Sequence, residues 1–241
     1  TGMWTKRYTA HRDPMTSATE PTTMAPASTR ILLLLGPPGC GKGTQAERLA
    51  RHFQIPAIST GEMIRGEIKA GTELGRIAAG VTITGGLLSD DLVNKIVRSR
   101  ISQPDCARGF MLDGYPRTVD QAQYLGALLA ELGCPQPTVV HIDVAQELLI
   151  ARTCNRRYCP QCSAIYNIES HPPKVAGLCD NCHIDLQQRA DDCEETVKNR
   201  LAAYERSTAP LIQHYQGAGY VRVEGTGTPD AVFAAVLQSL A

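Results

Sequence analysis

Residues 31–44 read Ile-Leu-Leu-Leu-Leu-Gly-Pro-Pro-Gly-Cys-Gly-Lys-Gly-Thr, and the fold is decided there. Ile31–Leu35 is an unbroken apolar run closed by Gly and Pro, the pattern of a strand buried on both faces of a parallel sheet. Gly36, Gly39, Gly41 and Gly43 then let the backbone turn tightly and come close to a ligand. Such a loop can aim successive N–H groups at a phosphate. From Thr44 the chain reads Gln-Ala-Glu-Arg-Leu-Ala-Arg, good helix formers whose helix would direct its positive end into the same loop. Lys42 adds a mobile point charge for the outer phosphates. Strand, glycines, lysine and helix thus follow the order of a phosphate-binding P-loop, G-x-x-x-x-G-K. One departure is clear. The residue after the lysine is Gly43, and the hydroxyl comes one place later, at Thr44. The motif implies triphosphate binding and no particular reaction.

Outward from this loop, the 241 residues suffice for one sizeable domain with insertions, and a hydrophobic content of 43% suffices for a buried core. Formal net charge is zero, against a broad nucleic-acid footprint. No apolar run reaches the roughly 18–20 residues of a membrane span. Residues 1–29 are rich in Thr, Pro, Ala, Ser and Met without apolar periodicity. They read as a disordered tail or cloning remnant, with an organelle transit peptide as the rival.

Downstream, Gln54–Ile58 reads as a short strand. Ser59 with Glu62 forms a capping box that opens a helix carrying Met63, Ile64 and Arg65. Residues 60–88 hold glycines and short helical pieces, suited to a small mobile subdomain. Ser89-Asp90-Asp91 caps a helix from Leu92 to about Ile101. Gly109–Asp113 is a buried strand ending in a carboxylate. In a parallel sheet Asp113 would arrive beside the P-loop, where it can orient the water shell of Mg²⁺. Gly114-Tyr115-Pro116-Arg117 turns an arginine into the same crevice. Val139–Asp143 is a further strand, followed by a helix from about Ala145 that places Arg152 and Arg156 at i, i+4 on one face. A helix from Glu194 to about Ala209, a strand at Tyr220–Val223 and a terminal helix at Asp230–Leu240 complete an α/β, doubly wound, five-stranded parallel sheet.

Nine cysteines include two C-x-x-C pairs, Cys159/Cys162 and Cys179/Cys182, with sixteen residues between the pairs. Each pair fits one side of a tetrahedral Zn²⁺. The segment between is polar, contains Pro172 and Pro173, and could not bury a core of its own, so a metal staple has a physical reason to be there. Four thiolates leave no open position, which makes the zinc structural. Iron instead of zinc, two disulfides, free thiols, or His183 as a competing ligand are the alternatives.

Taken together, Gly36–Gln45, Ser59–Arg65, Asp113-Gly-Tyr-Pro-Arg-Thr118 with Gln121, and Arg189-Ala-Asp-Asp-Cys-Glu-Glu-Thr196 resemble adenylate kinase, in its long-lid form with a zinc-binding lid. The resemblance runs from about Arg30 to the C-terminus. It implies a P-loop core at 30–58, 89–154 and 193–241, a nucleoside monophosphate-binding part at 59–88 and a lid at 155–192. It implies that Gly39, Cys40, Gly41, Lys42, Gly43 and Thr44 bind ATP, with Arg152, Arg156 and Gly227. It implies that Thr60, Gly61, Arg65, Leu87, Leu88, Gly114, Arg117, Gln121, Arg189 and Arg200 bind AMP. Lys42, Asp113, Arg117, Arg152, Arg156, Arg189 and Arg200 would serve the transfer itself.

The implied activity is reversible, Mg²⁺-dependent phosphoryl transfer from ATP to AMP, giving two ADP, in a cytoplasmic monomer that binds neither nucleic acid nor membrane. Phosphoryl transfer needs alignment, charge neutralisation and exclusion of water more than covalent help, and arginine forks fit phosphate oxygens. The rivals are a sister kinase with another donor or acceptor base, and a P-loop ATPase whose zinc ribbon binds nucleic acid. The second would want a basic, aromatic-bearing knuckle surface. Only Tyr158 and Tyr166 are there, mixed with Glu169, Asp180 and Asp185. Cys40, Tyr115, Gly86 and His171 depart from the family's usual small residue, Phe, Lys and Asn.

Overall fold

The computed structural model describes residues 29–217 and 219–240. The expectation for residues 1–29 therefore lies outside the described residues, apart from Thr29. Strand β1 (Arg30–Leu35) leads through the glycine loop into α1 (Lys42–Phe53). β2 (Ala57–Ser59), α2 (Thr60–Ala70), α3 (Glu73–Ile83) and α4 (Asp90–Ile101) follow, then β3 (Gly109–Asp113), α5 (Val119–Glu131) and β4 (Thr138–Asp143). After α6 (Gln146–Cys154) a small antiparallel hairpin, β5 (Arg156–Tyr158) and β6 (Ile165–Asn167), stands apart from the main sheet. α7 (Glu194–Ala203), α8 (Pro210–Tyr215), β7 (Tyr220–Glu224) and α9 (Pro229–Ser239) close the chain.

Five strands form one sheet in the order β2-β3-β1-β4-β7, and every pairing is parallel. β1 lies at its centre, with Leu33 in register with Leu112 on one side and Val139 on the other. Side chains alternate across a strand. Ile31, Leu33 and Leu35 accordingly enter one core with α4 and α5 residues such as Val97 and Leu125. Leu32 and Leu34 enter another with Leu49 of α1, Leu201 of α7 and Val236 of α9. This two-sided burial is why the run carries no polar residue, and it confirms the doubly wound parallel sheet.

Four details of the local reading are corrected. β2 starts at Ala57, not Gln54; Gln54 takes a left-handed conformation (φ 54°) that ends α1, and Pro56 delays the strand. Ser89 sits at the start of α4 but its side chain makes no capping bond. Arg156 is not on the helix of Arg152. That helix ends at Cys154, the Asn155 carbonyl accepts from Ile168 N–H at 3.0 Å, and Arg156 pairs with Asn167 as the first residue of β5. The helix from Glu194 is interrupted by a π-helical turn at Tyr204–Thr208, where Ala209 N–H bonds the Tyr204 carbonyl at 2.9 Å. Pro210 follows, and its missing N–H would leave an α-helical bond unmade.

The Ser59 cap is as expected, with Ser59 Oγ accepting from Glu62 N–H at 3.4 Å. All these connections leave one edge crowded with function. The glycine loop, Ser59–Thr60, Asp113 and Gly225–Thr228 all follow the carboxyl ends of strands, where ligands of open parallel sheets bind.

Candidate active site

The glycine loop is shaped by close approach. Gly36 (φ +143°) lies so near β4 that a Cβ there would stand 2.4 Å from the Ile142 carbonyl oxygen. At Gly39 (φ +88°) it would stand 2.4 Å from Thr153 Oγ1. No side chain can be added at either position without moving backbone or helix. Gly41 caps α1 without a side-chain bond, so the first N–H groups of α1 are left to a ligand. Lys42 folds back over the loop, its Nζ donating to the carbonyls of Gly36 (2.7 Å) and Pro37 (2.9 Å). Cys40 is buried, its Sγ 3.5 Å from the same ammonium, so a thiol reagent could reach it only if the loop opened.

The loop forms the floor of a cleft of about 960 Å³. Lys42, Asp113 and eight arginines line it: Arg48 and Arg51 from α1, and Arg65, Arg117, Arg152, Arg156, Arg189 and Arg200 from α2, the β3–α5 turn, α6, β5, the segment before α7 and α7. Gly39, Cys40, Gly41, Gly43, Thr44, Gly61, Leu87, Gly114 and Gly227 line it too. Thr60, Leu88 and Gln121 do not. They line a small side pocket that shares Leu87, Gly114 and Arg117 with the cleft.

The cations crowd one another. Burial pulls the Arg65 and Arg117 guanidinium groups below their ordinary range, and nearby arginines add to this despite Asp191 and, for Arg117, Asp113. Arg189 is pushed down to about 10 by burial and then by Arg156 and Arg65. Arg156 is the exception. Burial lowers it, but the hydrogen bonds and charge of Asp192, with Asp191 and Asp113, more than reverse this. A cleft that strains several cations at once is ready for a polyanion, which would relieve the repulsion.

Individual partners refine the picture. Arg152 donates to the carbonyls of Gly225 (2.8 Å) and Thr226 (3.0 Å), at the Gly227 end of the cleft. Arg117 Nε donates to the Gly114 carbonyl at 2.8 Å, and Thr60 Oγ1 donates to the same oxygen at 2.9 Å. Gln121 is buried, and both ends of its amide are engaged. Oε1 accepts from Arg117 N–H at 2.7 Å, and Nε2 donates to Asp90 Oδ1 at 2.7 Å. Asp90 was read only as part of a helix cap, yet it also takes Thr118 Oγ1 at 2.7 Å. Asp191 and Asp192 were also missed as participants. Their signal was present as two adjacent carboxylates inside an arginine-bearing motif.

The knuckles form a separate cluster. The sulfurs of Cys159, Cys162, Cys179 and Cys182 lie within 4.8 Å of one another, and Cys162 and Cys179 are 3.6 Å apart. Tetrahedral zinc with bonds of about 2.3 Å sets its sulfurs roughly 3.8 Å apart, whereas a disulfide needs about 2.05 Å. No disulfide joins any of the nine cysteines, and the spacing of these four sulfurs fits a shared metal better than two disulfides. The two turns repeat one design. Cys159 N–H bonds the Ala164 carbonyl and Cys179 N–H that of Ile184, both at 2.9 Å, with Ser163 (φ 61°) and His183 (φ 55°) left-handed at equivalent places. His183 is thus a turn residue and not among the clustered ligands. The donor set fits a structural zinc.

Parallel sheet, glycine loop, helix N-terminus and converging arginines define a P-loop nucleotide-binding protein with a four-cysteine knuckle insertion. A family model described as adenylate kinase matches residues 34–220. The chain is 47% identical over 212 residues to an adenylate kinase of Anaeromyxobacter sp. (strain Fw109-5), covering 88% of this chain and 99% of the relative. It is 49% identical to one from Geobacter sp. (strain M21) and 43% to one from Methanococcoides burtonii, each over 210 residues and 87% of this chain, with 98% and 97% of the relatives covered. The chain belongs to the adenylate kinase family and is a phosphotransferase of the nucleoside monophosphate kinase type.

Proposed function

We propose that this chain moves the γ-phosphoryl group of ATP to AMP, reversibly and with Mg²⁺, giving two ADP. The observation that carries the reading is the convergence of Lys42 and six arginines from separate elements on one cleft, with a side pocket at Gln121. The bond between the β–γ bridging oxygen and the γ-phosphorus breaks, and an AMP phosphate oxygen forms the new bond to that phosphorus. Residues 39–44 hold the ATP phosphates through backbone N–H groups and Lys42. Arg152 and Gly227 mark the donor-base end. Thr60, Gly61, Arg65, Leu87, Leu88, Gly114, Arg117 and Gln121 hold AMP. Arg156, Arg189 and Arg200, with Arg117, neutralise charge on the group in transfer. Mg²⁺ supplies further neutralisation across the phosphates when bound. Asp113, whose Oδ2 would be 3.8 Å from a Cβ at Gly43, and Thr44 are the residues that would hold its water shell. Cys159, Cys162, Cys179 and Cys182 would hold Zn²⁺.

In this reading residues 59–88 and 155–192 close over a core of 30–58, 89–154 and 193–241 and exclude water that would otherwise hydrolyse ATP. We take the enzyme to be a cytoplasmic monomer, because both closing parts must stay free, and to bind neither nucleic acid nor membrane. A formal net charge of zero supports the former. No described helix is long and apolar enough to cross a membrane. A coupled assay of ADP formation from ATP with AMP, GMP, UMP or CMP, repeated with GTP as donor, tests the reading. We expect turnover with ATP and AMP; no AMP-dependent turnover would refute it.

Gln121 gives a sharper check. Gln121→Glu should raise the AMP KM up to about tenfold, the scale of one net hydrogen bond of about 0.5–1.5 kcal/mol, and leave the ATP KM nearly unchanged. It also sets a carboxylate against Asp90 Oδ1, so thermal stability should fall. Equal losses for both nucleotides in steady-state kinetics would remove Gln121 from the AMP pocket.

A further inference from the structure

We infer that Tyr166 is an outer member of the metal site, its hydroxyl donating a hydrogen bond to the sulfur of Cys179 and so holding that ligand in place. The inference rests on the reading above, in which Cys159, Cys162, Cys179 and Cys182 hold Zn²⁺. Tyr166 Oη lies 3.6 Å from Cys179 Sγ, within reach of a hydrogen bond to sulfur. Asp180 N–H donates to the same Oη at 2.9 Å. The direction of the sulfur bond follows. A phenol has one proton to give, and this oxygen is already accepting from Asp180. A cysteine that ligates zinc has lost its proton, so it can only accept. Tyr166 is therefore the donor.

The site needs such a donor. Four thiolates outweigh the charge of one Zn²⁺, and Cys159 and Cys179 have no exposed surface through which water could offset the excess. A buried charge without hydrogen-bond partners is costly. Cys159 Sγ takes a backbone N–H, that of Cys162, at 3.5 Å. Among the described residues, Tyr166 is the only residue besides cysteine whose side chain bonds one of the four sulfurs. It comes from outside both knuckle turns. It is the middle residue of β6, in register with Arg157 of β5, and is itself buried. Its ring stacks on His171, with centroids 6.1 Å apart and planes 10° from parallel, which limits where the hydroxyl can point. Tyr166 also lines the cleft. One hydroxyl thus ties the sulfur cluster to the hairpin that carries Arg156. Outer partners of this kind are worth about 10–100-fold in metal affinity.

The test is Tyr166→Phe in the metal-loaded full chain, because phenylalanine keeps the ring in its cluster and removes only the hydroxyl. Transfer of the bound metal to a chelating dye should be about 10–100-fold faster than in wild type. With Co²⁺ in place of Zn²⁺, the sulfur-to-cobalt charge-transfer band should move to lower energy, since a sulfur that loses a hydrogen bond gives up electron density more readily. A merely structural role for the tyrosine would leave that band where it is. A transfer rate within roughly twofold of wild type overturns the inference, and so does an unmoved band at any transfer rate. If Tyr166→Phe does not fold, the metal-loaded wild type still decides. Its Tyr166 hydroxyl proton should give a resonance that exchanges slowly with water, and a freely exchanging one overturns the inference. A wild type that holds no metal refutes the reading of the four cysteines and takes this inference with it; one metal ion per wild-type chain beside an unchanged Tyr166→Phe overturns the inference alone.

Discussion

Replacing Lys42 by Met is expected to lower kcat for ADP formation by about 10²–10³-fold, the range for removing one preorganised donor to transition-state charge. The backbone amides of the loop can still hold ATP, so the ATP KM should rise far less than kcat falls. The AMP KM should be nearly unchanged, because Lys42 is proposed to serve the donor half of the cleft. The ammonium now rests on the Gly36 and Pro37 carbonyls, and those charge-assisted bonds disappear with it. Some loss of stability should follow, about 1–3 kcal/mol for bonds to a charged group that is half-buried, visible as a lower melting temperature. Measuring kcat well below the melting transition separates the two effects. If kcat falls less than tenfold in folded protein, Lys42 does not face the phosphates as proposed.

Removing the metal is expected to have the second large effect, and a local one. The only apolar cluster at the knuckles is Cys159, Tyr166 and Cys179, flanked by Ala164, Cys182, Ile184 and Leu186 among the described residues. Two of its three buried members belong to the four-sulfur cluster, so on the proposed reading the ion substitutes for a core too small to hold the segment together. Structural zinc in small modules is worth roughly 10–16 kcal/mol of folding free energy at neutral pH. The five-stranded sheet has its own two cores and should survive. Chelation should therefore release one metal ion per chain, expose residues 155–192 to protease and lower turnover at least tenfold, since Arg156 and Arg189 hang from this segment. Cys179→Ser should do the same without chelator. Elemental analysis, limited proteolysis and the coupled assay read the three outcomes. Metal-free protein with full protease resistance and full turnover would show that the sulfurs are not a structural site.

Much of the site was legible because its chemistry depends on short, ordered motifs. The glycine loop is local, and so are the two knuckles, whose spacing alone restricts the metal geometry. The period-two burial of Ile31–Leu35 needed only the absence of polar residues. Arg156 shows where local reading fails. The spacing from Arg152 suggested a shared helix face, but Asn155 ends the helix and Arg156 pairs in a hairpin instead. Its cleft position survived because a partner distant in sequence, Asp192, holds it there. Asp90 and Gln121 make the same point, joined across thirty-one positions that no local pattern connects.

What the sequence determined by itself was therefore the parallel sheet, the phosphate loop, the sulfur cluster and the cast of arginines. Each rests on interactions between near neighbours or on a residue type with one plausible use. What only the tertiary structure decided was which carboxylate meets which cation. Asp192 with Arg156 and Arg200, Asp191 with Arg200, and Asp90 with Gln121 are pairings set by how separate elements pack. A charge has no directional preference along the chain, and its partner is chosen by burial and distance in the folded molecule.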